Sequence, residues 1–177
     1  APFVEAGLDL VREGVRALTT TCGFMILFQE ELSARLPVPV FTSSLLQLPF
    51  LQRMLAPRDR IGVITADAAN LTAEHLRRAG ADAARLTVCG LEDQPHFREA
   101  IFGGRGQLNR QGIETEVVAA ARRMAASDPA IRALLFECAN LPPYAAAVQT
   151  AVGLPVYDIV TLIRHVHSAL TRTPFGL

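Results

Sequence analysis

One segment of the chain occurs twice, at a constant spacing of 116 residues and without a gap. Each copy contains an apolar stretch, then a cysteine, then a short proline-valine-aromatic stretch. The copies are Val15-Arg16-Ala17-Leu18, Cys22 and Pro39-Val40-Phe41, followed by Ile131-Arg132-Ala133-Leu134, Cys138 and Pro155-Val156-Tyr157. The two copies are therefore predicted to form the same local structure. Two like halves can face each other across a pseudo-twofold axis, with one thiol on each side of a shared cleft.

Short apolar runs rich in β-branched residues alternate with longer segments of helical periodicity, which is typical of βαβ units and a mostly parallel sheet. Predicted strands are Val15 to Thr19, Val38 to Phe41, Arg60 to Ile64, Leu86 to Cys89, Arg132 to Phe136 and Pro155 to Val156. Predicted helices are Phe3 to Arg12, Phe24 to Arg35, Ser44 to Leu55, Leu71 to Arg78, His96 to Ile101, Ile113 to Ala126, Pro143 to Thr150 and Ile159 to Leu170. The sequence thus predicts an α/β fold with two pseudo-symmetric lobes, whose sheets are flanked by helices and whose active-site cleft lies between the lobes.

The lobes are predicted to divide at the turn signal Ala56-Pro57-Arg58-Asp59. The first lobe comprises residues 1–57 and 158–177, and the second comprises residues 58–157. The helix from Phe3 to Arg12 has no strand ahead of it in the sequence, which is unusual for an α/β protein. We therefore expect either that residues are missing upstream or that the fold is a shortened version without its opening strand.

The charge balance excludes several classes of partner. Seventeen basic residues match seventeen acidic ones, and no block of like charge would grip nucleic acid or anionic lipid. A small neutral or zwitterionic ligand fits better. The longest strongly apolar run, Phe24 to Phe28, is far shorter than the roughly twenty residues of a membrane span. Three cysteines without close spacing indicate reduced thiols and a cytoplasmic protein.

Metal and phosphate sites are not expected. His165 and His167 lie two residues apart, on different faces of a predicted helix, and no Cys/His cluster has ligand spacing. Gly103-Gly104-Arg105-Gly106 follows a predicted helix and lacks the Gly-Lys-Ser/Thr of a phosphate-binding loop, so it is interpreted as a connector.

Each repeated cysteine follows a predicted strand and precedes a predicted helix, at the strand end where open α/β sheets build their sites. Helix N-termini favour thiolate and can bind a carboxylate. Asn140 suits either a helix cap or a hydrogen bond to substrate. Glu137 suits either packing or orientation of the Cys138 thiol, although strand neighbours point to opposite faces. Asp158 is expected to cap the last helix rather than to act in catalysis.

Four motifs resemble the aspartate/glutamate racemase superfamily over almost the whole chain. They are Thr20-Thr21-Cys22-Gly23, Ile61-Gly62-Val63-Ile64-Thr65, Glu137-Cys138-Ala139-Asn140 and Leu154-Pro155-Val156-Tyr157-Asp158. The resemblance implies a cofactor-independent enzyme in which Cys22 and Cys138 lie on opposite faces of the substrate. One thiolate would remove the Cα proton and the other thiol would return a proton to the opposite face. Implied substrate-binding residues are Thr21, Gly23, Phe24, Thr65, Ala139 and Asn140.

The motifs also depart from the family. Amino-acid racemases of this group usually have Asn-Thr after the first cysteine and Thr-His after the second, whereas Gly23-Phe24 and Ala139-Asn140 stand here. A glutamate racemase is therefore not expected. The leading hypothesis is an isomerase, a racemase or epimerase of a small carboxylate-bearing substrate of the amino-acid or hydantoin type. The alternatives are a maleate-isomerase-like or decarboxylase-like enzyme using one cysteine, and a catalytically silent ligand-binding or assembly protein. An uncovered sheet edge would favour a homo-oligomer.

Overall fold

Short parallel strands and helices alternate along the chain in a computed structural model that describes residues 2–103 and 108–175. The strands are β1 (Leu18–Thr19), β2 (Val40–Phe41), β3 (Arg60–Thr65), β4 (Leu86–Gly90), β5 (Ile131–Phe136) and β6 (Val156–Tyr157). The α-helices are α1 (Pro2–Arg12), α2 (Gln29–Arg35), α3 (Leu48–Met54), α4 (Ala73–Arg78), α5 (Pro95–Phe102), α6 (Arg110–Ser127), α7 (Ala145–Val152) and α8 (Ile159–Leu170). Short 3₁₀ helices cover Gly23–Phe28, Ser44–Gln47, Ala83–Arg85 and Pro142–Tyr144. The connector predicted at Gly103 to Gly106 falls mostly on residues outside the described ranges.

The strands form two parallel sheets, which confirms the predicted α/β fold class. One sheet pairs β1 with β2, and the other has the order β4-β3-β5-β6. The first sheet falls within residues 1–57 and the second within residues 58–157, although the lobe boundaries themselves stay a prediction. Among the described residues, β1 pairs with β2 alone.

Both faces of the larger sheet are covered by apolar side chains, as a parallel sheet requires. Helix α6 lies on one face and buries the stripe expected from its periodicity. Its Met124 packs so closely on Gly62 of β3 that a methyl group there would meet the sulfur. Ile61 and Val63, which point the other way along β3, join a second buried cluster with Leu45, Leu48 and Leu51. The core therefore holds β3 and β5 rigidly beneath their carboxyl ends.

The repeated segment forms the same structure twice. Leu18 pairs with Val40, and Leu134 pairs with Val156, so the register repeats at the spacing found in the sequence. The amide of Leu18 donates to the Pro39 carbonyl at 2.9 Å, and the amide of Leu134 donates to the Pro155 carbonyl at 2.9 Å. Helices α2 and α7 begin at equivalent positions, Gln29 and Ala145. The prediction that the copies share one local structure is confirmed.

Several predicted helices begin as 3₁₀ turns, which the apolar periodicity of the sequence did not indicate. Proline lacks an amide hydrogen and is accommodated only in the first turn of an α-helix. Pro49 occupies that turn of α3, so the preceding residues Ser44–Gln47 form a 3₁₀ helix instead. The pair Pro142 and Pro143 likewise delays α7 until Ala145. Strand β1 is also shorter than predicted and covers two residues.

Asp158 caps α8, as expected. Its Oδ1 accepts from the Thr161 amide at 2.8 Å, and Thr161 Oγ1 accepts from the Asp158 amide at 3.0 Å. This reciprocal capping box satisfies two amides that the helix itself leaves unpaired. Asp158 is buried and committed to this cap, in agreement with its assignment to structure rather than catalysis.

Membrane insertion by a helix finds no support in the described residues, because none of their helices combines the length and the apolar composition that crossing a bilayer requires.

Candidate active site

The carboxyl ends of the two sheets meet around the repeated cysteines. The hydroxyl of Ser44, which follows β2, donates to the Phe136 carbonyl at the end of β5 at 2.7 Å. Gly23, next to Cys22, packs directly against Glu137, which precedes Cys138. The two cysteine-bearing segments are therefore in contact, and the fold brings together residues that lie more than a hundred positions apart in the sequence.

Both cysteines sit in backbone turns of the same kind. The Cys22 carbonyl accepts from the Met25 amide at 3.0 Å, and the Cys138 carbonyl accepts from the Leu141 amide at 3.1 Å. We call residues 22–25 the Cys22 turn and residues 138–141 the Cys138 turn. Cys22 stands at the N-cap of a 3₁₀ helix, whereas the corresponding cap after Cys138 is Leu141. Only Cys22 therefore directly precedes a helix, which corrects the expectation for Cys138.

The surroundings of the two thiols differ. Cys22 is exposed, and Cys138 is half-buried. The Asn140 side-chain amide lies 3.7 Å from the Cys138 sulfur, and Asn140 does not cap a helix. Burial raises the pKa of the Cys138 thiol above its ordinary value, the Asn140 backbone amide opposes that rise, and negative charge on Glu137 and Cys22 adds to it. Cys22 is thus close enough to Cys138 for the two thiols to influence each other.

Glu137 is a buried carboxylic acid at the centre of this region. Its side chain is 3% exposed, and its Oε2 accepts from Thr65 Oγ1 of β3 at 2.7 Å. Burial raises the pKa of Glu137 to about 7, against the lowering effect of the Thr65 hydrogen bond. A group that titrates near neutrality beside a thiol can exchange a proton under physiological conditions.

Gly23 is required by this close approach. A methyl group at position 23 would lie 2.5 Å from the Glu137 backbone carbonyl oxygen and would also collide with the Glu137 carboxyl group. The carboxyl group can rotate away, but the carbonyl cannot, because it belongs to the buried backbone directly after β5, where the Glu137 amide donates to the Ile64 carbonyl. Glycine at this position therefore permits the contact between the Cys22 turn and β5.

We expect Gly23→Ala to destabilise the protein, because the backbone of the Cys22 turn must move away from Glu137. Overpacking of this kind typically costs about 1–3 kcal/mol. Urea unfolding monitored by circular dichroism measures the loss as a lower midpoint. An unchanged midpoint would show that the Cys22 turn and the end of β5 leave room for a side chain between them.

The other predicted site residues fall into two groups. Thr21 and Asn140 are exposed beside the cysteines. Thr65 is fully buried, and its hydroxyl is engaged by Glu137. The Phe24 ring is half-buried and lies 5.0 Å from the His75 ring. The partly buried Ala139 packs on an apolar cluster. The side chains of these last three residues therefore contribute to the support of the site.

The polar segment Thr42-Ser43-Ser44 is wholly buried, although no sequence pattern had marked it as part of the site. The Thr42 carbonyl accepts from Thr20 Oγ1, and the Thr42 amide donates to Gln29 Oε1 at 2.9 Å. These bonds tie the end of β2 to the segment before Cys22 and to α2. In the first copy of the repeat, Thr42 occupies the position that Asp158 occupies in the second copy. The run of hydroxyl residues that begins there, directly after a strand, is the sequence signal for this segment.

A cavity of about 300 Å³ borders the Cys138 turn on the side of α5 and α6. Its lining includes Ala139, Asn140, Tyr144, Phe97 and Arg110. This volume accommodates a small molecule. Within residues 2–103 and 108–175, no group of three or more His, Cys, Asp or Glu side chains is arranged to hold a metal ion.

The model of the Asp/Glu/hydantoin racemase family matches residues 1–165. The chain belongs to this family. The resemblance inferred from the four motifs is confirmed.

Solved structures of racemases share this fold. The allantoin racemase from Klebsiella pneumoniae superposes with a TM-score of 0.65 at 16% identity, covering 95% of this chain and 64% of the other. The glutamate racemase from Thermus thermophilus in complex with β-chloro-D-alanine gives a TM-score of 0.57 at 21% identity, covering 99% of this chain and 64% of the other. Identities this low establish the architecture and leave the activity open.

Curated relatives of this chain are named lyases, in contrast to the racemases among the solved structures. Dimethylsulfoniopropionate lyase 7 of Emiliania huxleyi (strain CCMP1516) is 34% identical over 185 residues, covering 99% of this chain and 54% of the relative. Dimethylsulfoniopropionate lyase 5 of the same organism is 34% identical over 174 residues, covering 93% and 34%. The dimethylsulfoniopropionate lyase of Durusdinium sp. clade D is 33% identical over 170 residues, covering 93% and 56%. The chain spans about a third to just over half the length of these relatives.

The prediction of a racemase or epimerase, and with it the assignment to the isomerases, is therefore wrong. The relatives at 33–34% identity are lyases by name. The two cysteines are matched in spacing but not in surroundings, because the exposed Cys22 follows an exposed Thr21 and the half-buried Cys138 follows a buried Glu137.

Proposed function

We propose that this chain cleaves dimethylsulfoniopropionate by β-elimination. The observation that carries the proposal is the 33–34% identity to dimethylsulfoniopropionate lyases over nearly the whole chain. The zwitterionic substrate also agrees with the balanced charge of the protein, which favours a small neutral or zwitterionic ligand.

The elimination is dictated by the structure of the substrate, which has a carboxylate at one end and a dimethylsulfonium group on the β-carbon. A base removes a proton from the α-carbon, and the electron pair of that C–H bond forms the double bond between the α- and β-carbons. The bond from the β-carbon to sulfur breaks, and its electron pair leaves with sulfur as neutral dimethyl sulfide. The products are acrylate, dimethyl sulfide and a proton held by the base.

Cys138 is the base in this proposal, acting as a thiolate on the α-carbon proton. Its thiol lies 3.7 Å from the Asn140 side-chain amide, and the Asn140 backbone amide also favours the ionised sulfur. A half-buried thiol with a raised pKa is a stronger base than a free thiol, which suits a weakly acidic C–H bond. Cys22 lies near it at the exposed side, where it contacts substrate without having to return a proton.

The substrate carboxylate is held by backbone amides of the two cysteine turns, those of Gly23, Phe24, Ala139 and Asn140. Negative charge that develops next to the carboxylate during proton removal is stabilised by such fixed donors. Thr21 completes the exposed wall beside Cys22, and Thr65 acts through Glu137. A reduced cytoplasmic protein agrees with the free state of Cys22, Cys89 and Cys138, and a homo-oligomer stays a prediction.

The proposal is tested by incubating the purified chain with dimethylsulfoniopropionate and measuring dimethyl sulfide in the headspace by gas chromatography. We expect enzymatic release that saturates with substrate and yields acrylate in equal amount. The Cys22→Ser, Cys138→Ser double variant controls for spontaneous elimination by base. Release no faster than with the double variant, from a chain shown by circular dichroism to be folded, would overturn the proposal.

A further inference from the structure

Glu137 is a buried carboxylic acid whose two side-chain oxygens have different surroundings. One carboxyl oxygen, Oε2, is held by the buried Thr65 hydroxyl at 2.7 Å. The other, Oε1, faces Gly23 in the Cys22 turn. No buried side-chain oxygen or nitrogen of the described residues lacks a hydrogen-bond partner. Oε2 is therefore anchored by a hydrogen bond, whereas Oε1 lies against the Cys22 turn.

No basic side chain in the described part of the chain forms an ion pair with the Glu137 carboxyl group. The groups that face it are the Thr65 hydroxyl from β3 and Gly23 from the Cys22 turn, and the Ser44 hydroxyl lies 3.4 Å from its carbonyl oxygen. Of the acidic thiols, Cys138 directly follows Glu137 in the chain, and Cys22 directly precedes Gly23, which packs against the Glu137 carboxyl group. Two adjoining acids without a counter-ion resist carrying two negative charges.

We propose that Glu137 is a positioning residue of the elimination, which shares one negative charge with Cys138 and so controls when that thiol becomes the thiolate base. This inference rests on the proposed function. In the resting site the charge lies on the Glu137 carboxylate, which disfavours ionisation of Cys138. When the carboxyl group holds a proton, this part of the penalty disappears and the thiol ionises more readily, while burial still disfavours the thiolate. Thr65 holds the carboxyl group so that the coupling between the two acids is constant.

The effect of the Glu137 charge on the ionisation of the Cys138 thiol can be measured without an activity assay. Iodoacetamide alkylates thiolates, so its rate at Cys138 as a function of pH, followed by mass spectrometry, reports ionisation of that thiol. We expect Glu137→Gln, which keeps the shape and removes the charge, to move the alkylation midpoint of Cys138 to lower pH by about half a unit or more. This corresponds to roughly threefold faster alkylation below both midpoints. Glu137→Asp, which keeps the charge, should stay near the wild-type midpoint.

Cys89 serves as an internal control in the same spectra, since it is half-buried at the end of β4 and does not interact with Glu137. Its midpoint should be equal in all three proteins. A Cys138 midpoint that is unchanged in the folded Glu137→Gln variant would overturn the inference. So would equal shifts in the Gln and Asp variants, because these would indicate a structural effect.

The pH profile of dimethyl sulfide release then connects the coupling to the reaction. In Glu137→Gln we expect the rising limb of kcat/KM to move to lower pH by the same amount as the alkylation midpoint. If the alkylation midpoint moves and the wild-type chain releases no dimethyl sulfide, the charge coupling stands and the proposed function fails. If the wild type and Glu137→Gln both release dimethyl sulfide and only the alkylation midpoint moves, the charge on Glu137 does not control the catalytic thiolate of Cys138. That result overturns the inference and leaves the proposed function standing.

Discussion

Cys138→Ser should lower the rate of dimethyl sulfide release by a factor of roughly 10²–10⁴, the usual contribution of a general base. A serine hydroxyl does not ionise near neutral pH, so the variant lacks the thiolate that removes the α-carbon proton. Cys22→Ser should lose far less, since elimination transfers one proton and needs one base. Gas chromatography of the headspace measures both variants at saturating substrate.

The third cysteine provides the matched control for this comparison. Cys89→Ser replaces a half-buried thiol on the neighbouring strand β4 and should retain wild-type release. A Cys138→Ser variant that keeps a tenth or more of the activity would contradict the assignment of the base. A large loss in Cys22→Ser together with an active Cys138→Ser would assign that role to Cys22 instead.

The architecture of this chain could be predicted because its signals are local. The strand predicted for Arg60 to Ile64 corresponds to β3 and is one residue shorter than the observed strand. The apolar stripe on α6 is buried, as its periodicity predicts. The spacing of the repeat also predicted equivalent strand pairing, which the registers of Leu18 with Val40 and Leu134 with Val156 confirm. Apolar periodicity and turn residues determine such features within a few neighbouring positions.

The contacts that organise the site could not be predicted in the same way. Glu137 meets Thr65 and Gly23 only because the carboxyl ends of two sheets converge. Alternation along a strand predicts opposite faces for Glu137 and Cys138, but it does not indicate where the Glu137 carboxyl group goes. Its neighbours lie on β3 and in the Cys22 turn, far away in sequence, so its burial became visible only in the folded chain.

The reaction type was missed for a chemical reason. The resemblance to the aspartate/glutamate racemases implies removal of a proton from a carbon next to a carboxylate. The fate of the resulting electron pair depends on the substrate. If the β-carbon carries a good leaving group such as dimethylsulfonium, the electron pair expels it, and no second acid is needed. The proposed elimination therefore shares its first step with the racemisation that the resemblance implies, and differs from it in the class of enzyme.

Glu137→Gln should stabilise the fold at alkaline pH, which is the second large effect we expect. The pKa of Glu137 is about 7 in the folded protein and 4.5 for an ordinary glutamate. Below the lower value the group is protonated in both states. Between the two values unfolding releases a proton, so stability falls as the pH rises and levels off above pH 7. The raised pKa lowers the free energy of unfolding by about 3 kcal/mol above pH 7. Glutamine carries no charge, so the Glu137→Gln variant does not lose this free energy.

Urea unfolding at pH 5 and pH 8 measures this difference as the change in the free energy of unfolding between the variant and the wild type. The advantage of Glu137→Gln should be small at pH 5 and several-fold larger at pH 8. Glu5→Gln, at an exposed position on α1, should show no such dependence. An equal advantage at both pH values would mean that Glu137 stays ionised in the folded protein.

A carboxylic acid that weakens the fold near neutral pH is poorly explained by packing, and a stability cost of this kind is typical of residues retained for activity. The same buried charge that destabilises the protein also disfavours ionisation of Cys138, so Glu137→Gln should raise stability at pH 8 and lower the alkylation midpoint of Cys138 in the same protein.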